Sequence, residues 1–299
     1  MTAYAVKLIA VFTMLIDHAA YILRLCGLLG GMGYGLMRSV GRIAFVLFAF
    51  LLVNGIEKTS NPHRYFSRLS LFAVISQVPF SMAFSSENYT ADAVTATGFY
   101  VSFYPAWTLA LLSFGIWLTY FGCVCRWKPD WSLLTIAAAL TLPLMYVTAG
   151  GYTLIGSNLS IFYTLAFSVA LCLSASALIE AIKAREGVFR AALLFLTAAA
   201  GTMLYQPWAD YGLFGLGLIA ALYVARSNRV IQCLIIALWC ILEYYVRLGN
   251  MIYALFAMLA IIPIALYNGE RGHKMGIAFY IIYPAHLFIF ALIGFALSR

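Results

Sequence analysis

Charge is scarce in this chain. Asp, Glu, Lys and Arg together make up 9% of its 299 residues, with only ten acidic and four histidine side chains. Soluble domains carry roughly 25% charged residues, so a water-soluble fold is excluded. Several chemical signatures are missing as well. There is no Gly-rich P-loop, no dinucleotide fingerprint, no zinc-protease helix and no Gly-x-Ser-x-Gly elbow. The six cysteines (Cys26, Cys123, Cys125, Cys172, Cys233 and Cys240) have neither disulfide nor zinc spacing and read as small apolar filler; no metal is expected. No convincing internal repeat, soluble module or low-complexity tail interrupts the chain. The first apolar run is too long for a cleavable signal peptide and is not followed by a small-residue cleavage site, so the first helix is expected to be retained.

What fills the space is hydrocarbon. Hydrophobic residues reach 65% and the mean hydropathy is +0.96. Apolar runs of about 20 residues, each long enough to cross a bilayer, recur at 4–25, 36–56, 66–84, 100–121, 131–149, 157–181, 188–205, 211–225, 229–247, 250–267 and 275–297. The expected fold is all-α, a polytopic integral membrane helix bundle of about 10–11 transmembrane helices in one domain spanning 1–299. Pro207 and several glycines make the spans near 188–225 the least regular. The net charge of +8 is organised by location and is not a nucleic-acid signal. Twelve of the eighteen Lys/Arg (Lys58, Arg64, Arg68, Arg126, Lys128, Lys183, Arg185, Arg190, Arg226, Arg229, Arg271 and Lys274) fall in alternate loops, on the same side as Lys7. Arg24, Arg38, Arg247 and Arg299 are assigned to the opposite side. The positive-inside rule then puts the amino terminus in the cytoplasm and the carboxyl terminus outside.

Lys7 and His18 stand eleven positions apart in the first span. Eleven steps of about 100° return the two side chains to one face, about 16 Å apart along the axis. Ionisable groups inside a bilayer are costly and mark pathways or reaction centres. The spacing fits a site that grips a long anionic cofactor and works at its far end. His18 reads either as a general base or as a histidine bonded to a neighbouring helix. Asp17 points about 100° away from it and is instead expected to pair with Arg42 of the second span, either as a purely structural ion pair or with Arg42 as an electrostatic catalyst. Glu243 and Arg247 read as a helical i,i+4 salt bridge. Asp210 and His286, both near the outer side, face an external substrate or act as a cap or packed polar group. The glycine-bounded basic loop Tyr267–Lys274 suits either phosphate capture, with Arg271 making a bidentate contact, or simple anchoring.

Several stretches together resemble the TraX family, membrane proteins named for acetylation of the conjugative pilin amino terminus. They are Lys7-Leu-Ile-Ala with Met14-Leu-Ile-Asp17-His18, Gly41-Arg42-Ile43-Ala44-Phe45 followed by Phe48-Ala49-Phe50-Leu51-Leu52, Ser76-Gln77-Val78-Pro79-Phe80, Ala209-Asp210-Tyr211-Gly212 with Gly215, Tyr267-Asn268-Gly269-Glu270-Arg271-Gly272, and Tyr283-Pro284-Ala285-His286-Leu287. The family in turn resembles the transmembrane acyltransferases of acyltransferase family 3, whose first helix carries a basic residue and a histidine at the spacing of Lys7 and His18. Residues about 85–150 look like an extra helical hairpin relative to shorter family members.

The resemblance implies a membrane-bound acyltransferase (acetyltransferase) that uses cytoplasmic acyl-CoA, here acetyl-CoA, as donor co-substrate. The acceptor would be a peptide amine, glycan or lipid hydroxyl at the outer face or within the membrane. His18 would be the catalytic residue, with Arg42 stabilising the oxyanion and Asp17 holding Arg42 or tuning His18. Lys7, Arg64, Arg271 and Lys274 would hold the CoA phosphates, and Asp210 and His286 would orient the acceptor. The rival reading is a proton-coupled small-molecule transporter, with Asp17, His18, Arg42 and His286 as a proton relay.

Overall fold

The computed structural model describes residues 1–60, 62–84, 160–205 and 210–297. Among these residues all regular structure is helical. We number the helices α1 (Ala3–Leu25), α2 (Gly31–Lys58), α3 (Pro62–Phe84), α4 (Ile161–Ala184), α5 (Val188–Tyr205), α6 (Gly212–Val224), α7 (Arg229–Cys240), α8 (Met251–Met258), α9 (Ile261–Ala265) and α10 (Ala278–Leu297), with a π-helical segment, Ile241–Arg247, continuing α7. Five stretches are long and apolar enough to cross a membrane: α1, α2, α4, Arg229–Arg247 and α10. The protein is a polytopic helical membrane protein. The expected spans at 100–121 and 131–149, and the extra hairpin at 85–150, lie outside the described residues.

The single span expected over 250–267 is two helices, and Pro263 explains the break. Proline has no N–H to give the carbonyl of Leu259, so the Ile262 N–H donates to it instead, at 3.1 Å, tightening the turn. Before α8, Gly249 (φ 66°) ends the π-helical segment in a left-handed conformation, and Asn250 caps α8 by accepting from the Tyr253 N–H at 3.0 Å.

Two compact units are distinguished by their contacts: Met1–Lys58, Pro79–Val101 and Gly217–Arg299 form one; Thr59–Val78 and Ser102–Leu216 form the other. The first unit is built on the α1–α2 hairpin. Gly27 (φ 72°) closes α1: its N–H donates to the Arg24 carbonyl and that of Leu28 to Leu23, a Schellman turn. The face α1 buries is mostly small: Val6, Ala10, Thr13, Met14, Asp17 and Ala20. Small side chains let membrane helices approach closely where no hydrophobic effect pushes them together. At Gly41 of α2 the approach is so close that a Cβ would lie 2.3 Å from the Cβ of Asp17. The last helix, α10, runs parallel to α1, meeting it at Lys7–Phe279, His18–His286 and Cys26–Gly294. In the second unit the first half of α4 is buried on all sides, as expected of an interior helix. Its Ser168 hydroxyl donates to the Thr164 carbonyl at 2.7 Å, keeping a polar group satisfied where no water is available.

Candidate functional site

Asp17 and His18 are sequence neighbours that serve different partners, because consecutive helical residues point about 100° apart. Asp17 faces α2 and takes two guanidinium groups. Arg42 Nη2 donates to Oδ1 and Arg38 Nη1 to Oδ2, each at 2.6 Å. Arg42 Nε also donates to the Arg38 carbonyl at 3.1 Å. Asp17 is 8% and Arg42 9% exposed, so these two guanidinium groups on one carboxylate sit in a low dielectric. An aromatic frame continues from it: Arg42 lies 5.6 Å from the Tyr253 ring, which meets Tyr244, which packs on Trp239, which packs on Phe45.

His18 faces α10. Its Nδ1 lies 2.7 Å from His286 Nε2, the two rings nearly parallel at 13°. Phe84 and Tyr283 present edge-on contacts to His18, at 5.1 and 6.2 Å between centroids. The imidazole is therefore fixed in place. Beyond its partner, His286 Nδ1 lies 2.8 Å from the Ile282 carbonyl, one helical turn back.

About three turns of α1 below His18, Lys7 Nζ stands 4.7 Å from the Phe279 ring. This end of the unit is closed by the loop after α9. The Ala3 and Tyr4 N–H groups donate to the carbonyls of Glu270 and Arg271, at 2.9 and 3.2 Å, strapping the loop to the start of α1. Gly269 (φ 83°) and Gly272 (φ 66°) give the loop its left-handed corners. Arg271 and Lys274 are exposed on it. Two further cations converge on Tyr267: Lys58 Nζ donates to its hydroxyl at 3.0 Å and to the Gly269 carbonyl, and Arg229 lies 5.0 Å from the Tyr267 ring and 4.7 Å from that of Phe50. Arg229 Nη1 is buried without a hydrogen-bond partner.

The first unit thus holds Lys7, Asp17, His18, Arg42, Arg271, Lys274 and His286. It brings His286 against His18; the acyltransfer reading had set His286 at the acceptor, and the transporter reading had set both histidines in one relay. The other two candidates belong to the second unit. Arg64 lies in the first turn of α3. Asp210 opens the turn before α6, its carbonyl accepting from the Thr164 hydroxyl at 2.6 Å.

Arg38, counted from the sequence with the outer-side loop charges, is a helix residue. The second helix begins at Gly31, so Arg38 lies inside it, one turn from Arg42 on the same face. That i,i+4 spacing was the available signal. Lys58 and Arg229 were read only as members of basic loops; nothing local in the sequence marks that they share Tyr267. Glu243, 1% exposed, does form the expected pair with Arg247, whose Nε donates to Oε2 at 2.7 Å.

The family model described as "TraX protein" matches residues 3–97 and 151–294. The chain belongs to the TraX family. All nine residues singled out from the sequence lie in the matched segments of this TraX chain, and 98–150 fall outside them. A curated relative, the "Probable fimbrial assembly protein FimC, serogroup H1" of Dichelobacter nodosus, is 36% identical over 76 residues. That stretch is 25% of this TraX chain and 30% of the relative, so the chain spans under a third of the relative it matches. No solved structure matches significantly.

Proposed function

We propose that this TraX protein is a membrane-bound acyltransferase that moves an acyl group, in the simplest case acetyl, from acyl-CoA on the cytoplasmic side to an amine or hydroxyl at the outer half of the bacterial inner membrane. The observation that carries this reading is the arrangement along α1. An immobilised histidine lies beside two guanidinium groups paired on one carboxylate, and a set of cations lies about 16 Å away at the other end of the same helix face. A pantetheine arm spans that separation.

In this reading Lys7, Arg271 and Lys274 hold the phosphates of the donor. Arg229 and Lys58 join them, because the buried Arg229 Nη1 has an unmet donor and guanidinium suits phosphate. At the far end His18 removes the proton from the acceptor as its oxygen or nitrogen attacks the thioester carbon. The carbonyl oxygen becomes an oxyanion, stabilised by the Arg42 guanidinium, a contribution of about 3–4 kcal/mol if it behaves as an ordinary oxyanion donor. The carbon–sulfur bond then breaks, and the proton held on His18 passes to the departing CoA sulfur. Acid, base and leaving group balance without a metal or redox partner. The fimbrial name of the relative supports a component of a pilus-like surface fibre as acceptor.

The test is transfer from radiolabelled acetyl-CoA in proteoliposomes, scoring CoA release and labelled acceptor for wild type and His18→Ala. Release that disappears in His18→Ala while acetyl-CoA binding persists is expected. Proton-coupled solute flux without any acyl donor would instead favour a carrier.

A further inference from the structure

The proton positions on the two histidines follow from their neighbours. A backbone carbonyl can only accept, so the 2.8 Å contact between His286 Nδ1 and the Ile282 carbonyl requires a proton on Nδ1. A neutral imidazole has one proton, which leaves His286 Nε2 with a lone pair. That nitrogen is 2.7 Å from His18 Nδ1, and a contact so short needs a proton between the two. His18 must supply it. His18 is then protonated at Nδ1, and its own Nε2 is left as an unprotonated base. If His286 carried a second proton, the assignment would reverse and His18 Nε2 would be blocked.

We propose that His286 is a positioning residue: the Ile282 carbonyl fixes its tautomer, its tautomer fixes that of His18, and the result is a lone pair held on His18 Nε2. This rests on the acyltransfer reading and gives His286 a different place in it, behind the base and not against the acceptor. The local sequence suits the task. A histidine four residues after Ile282 on α10 places Nδ1 within reach of that carbonyl, and Pro284 between them fixes the backbone. The two imidazole planes lie within 13° of each other, as an in-plane hydrogen bond needs, and edge contacts from Phe84 and Tyr283 hold the His18 ring at that angle. During transfer the acceptor proton arrives at His18 Nε2 and leaves from the same atom to the CoA sulfur. The Nδ1–H bond to His286 persists throughout and spreads the transient charge over two rings.

The experiment separates this proposal from the reading beneath it. Protein labelled with nitrogen-15 histidine, in a background with His63 and His273 replaced by Gln, is placed in lipid nanodiscs, where nitrogen chemical shifts report each tautomer directly and need no acceptor. Expected is His18 protonated at Nδ1 and bare at Nε2 in wild type. His286→Gln, whose side-chain oxygen can accept from His18 Nδ1, should keep that state; His286→Leu, which cannot, should move the proton to Nε2. Acetyl-CoA turnover at saturating donor should fall about 100-fold in His286→Leu, the size of a general-base contribution, with an unchanged KM and recovery in His286→Gln. A wild-type His18 bearing its proton on Nε2, or His286→Leu and His286→Gln that behave alike, overturns the proposal. The expected tautomers in a wild type that never consumes acyl-CoA would instead overturn the acyltransfer reading and leave the hydrogen-bond assignment standing.

Discussion

Gly41→Ala tests how tightly the first hairpin must close for the arginine cluster to form. A Cβ at position 41 would sit 2.1 Å from Oδ1, 2.3 Å from Cβ and 2.4 Å from Cγ of Asp17. A rotamer change can move the carboxylate, but Asp17 Cβ is fixed to the backbone of α1. Carbon atoms pack best at about 3.5–4.0 Å, so α1 and α2 must part by about 1.2 Å at this level. Two costs are then in play. Overpacking relieved by a backbone shift runs to about 1–3 kcal/mol. Stripping the carboxylate from its buried cations would run to about 3–5 kcal/mol. The smaller should apply, because Arg38 and Arg42 are long enough to follow a carboxylate that retreats by little more than an ångström. The loss expected is therefore about 1–3 kcal/mol, read as a drop of several degrees in the detergent melting midpoint of a GFP-tagged chain. Gly35→Ala is the control: it lies in the same helix with no atom within 4 Å of the new Cβ, and should hold its midpoint or raise it. Equal midpoints for the two variants would refute the close approach.

Other consequences can be checked in the same preparations. Arg247→Ala should destabilise more than Glu243→Gln, by about 3–5 kcal/mol against a smaller loss, because the first strands a carboxylate 1% exposed and the second frees only a half-exposed guanidinium; melting midpoints decide the order. Arg229→Leu and Lys58→Met should each raise the acetyl-CoA KM several-fold and leave the saturated rate unchanged, whereas a fall in the saturated rate alone would remove these residues from donor binding. Gly272→Ala should loosen the loop from the start of α1. Its φ of 66° and the Thr2 hydroxyl 2.6 Å from a new Cβ add about 1–2 kcal/mol of backbone strain, visible as faster proteolysis between Tyr267 and Lys274.

Hydropathy made the helices legible because a membrane helix is written locally: each described helix overlaps an apolar run read from the sequence. Departures came where one residue changes the hydrogen-bond ladder, as at Pro263. The Asp17–Arg42 contact was also within reach, since consecutive antiparallel helices make depth computable from position. Other contacts lie beyond local rules. His18 and His286 are 268 residues apart, and nothing in the spacing of either reveals that α1 and α10 are parallel neighbours. Lys58 and Arg229 meet on Tyr267 for the same reason: a third element brings them together. Arg38 is different: it and Arg42 both fall in the run 36–56, so their one-turn offset was visible, and counting Arg38 with the outer-side charges obscured it.

The separation of those two histidines also sets a timetable. Asp17, Arg38 and Arg42 emerge from the ribosome within one hairpin, so the first two helices enter the lipid with the Asp17 carboxylate already paired. His286 comes 268 residues after His18, about 15–50 s later at ordinary rates of synthesis. Until α10 docks, His18 has no partner to set its proton. A chain truncated before α10 should therefore insert its first hairpin normally and show no acyl transfer.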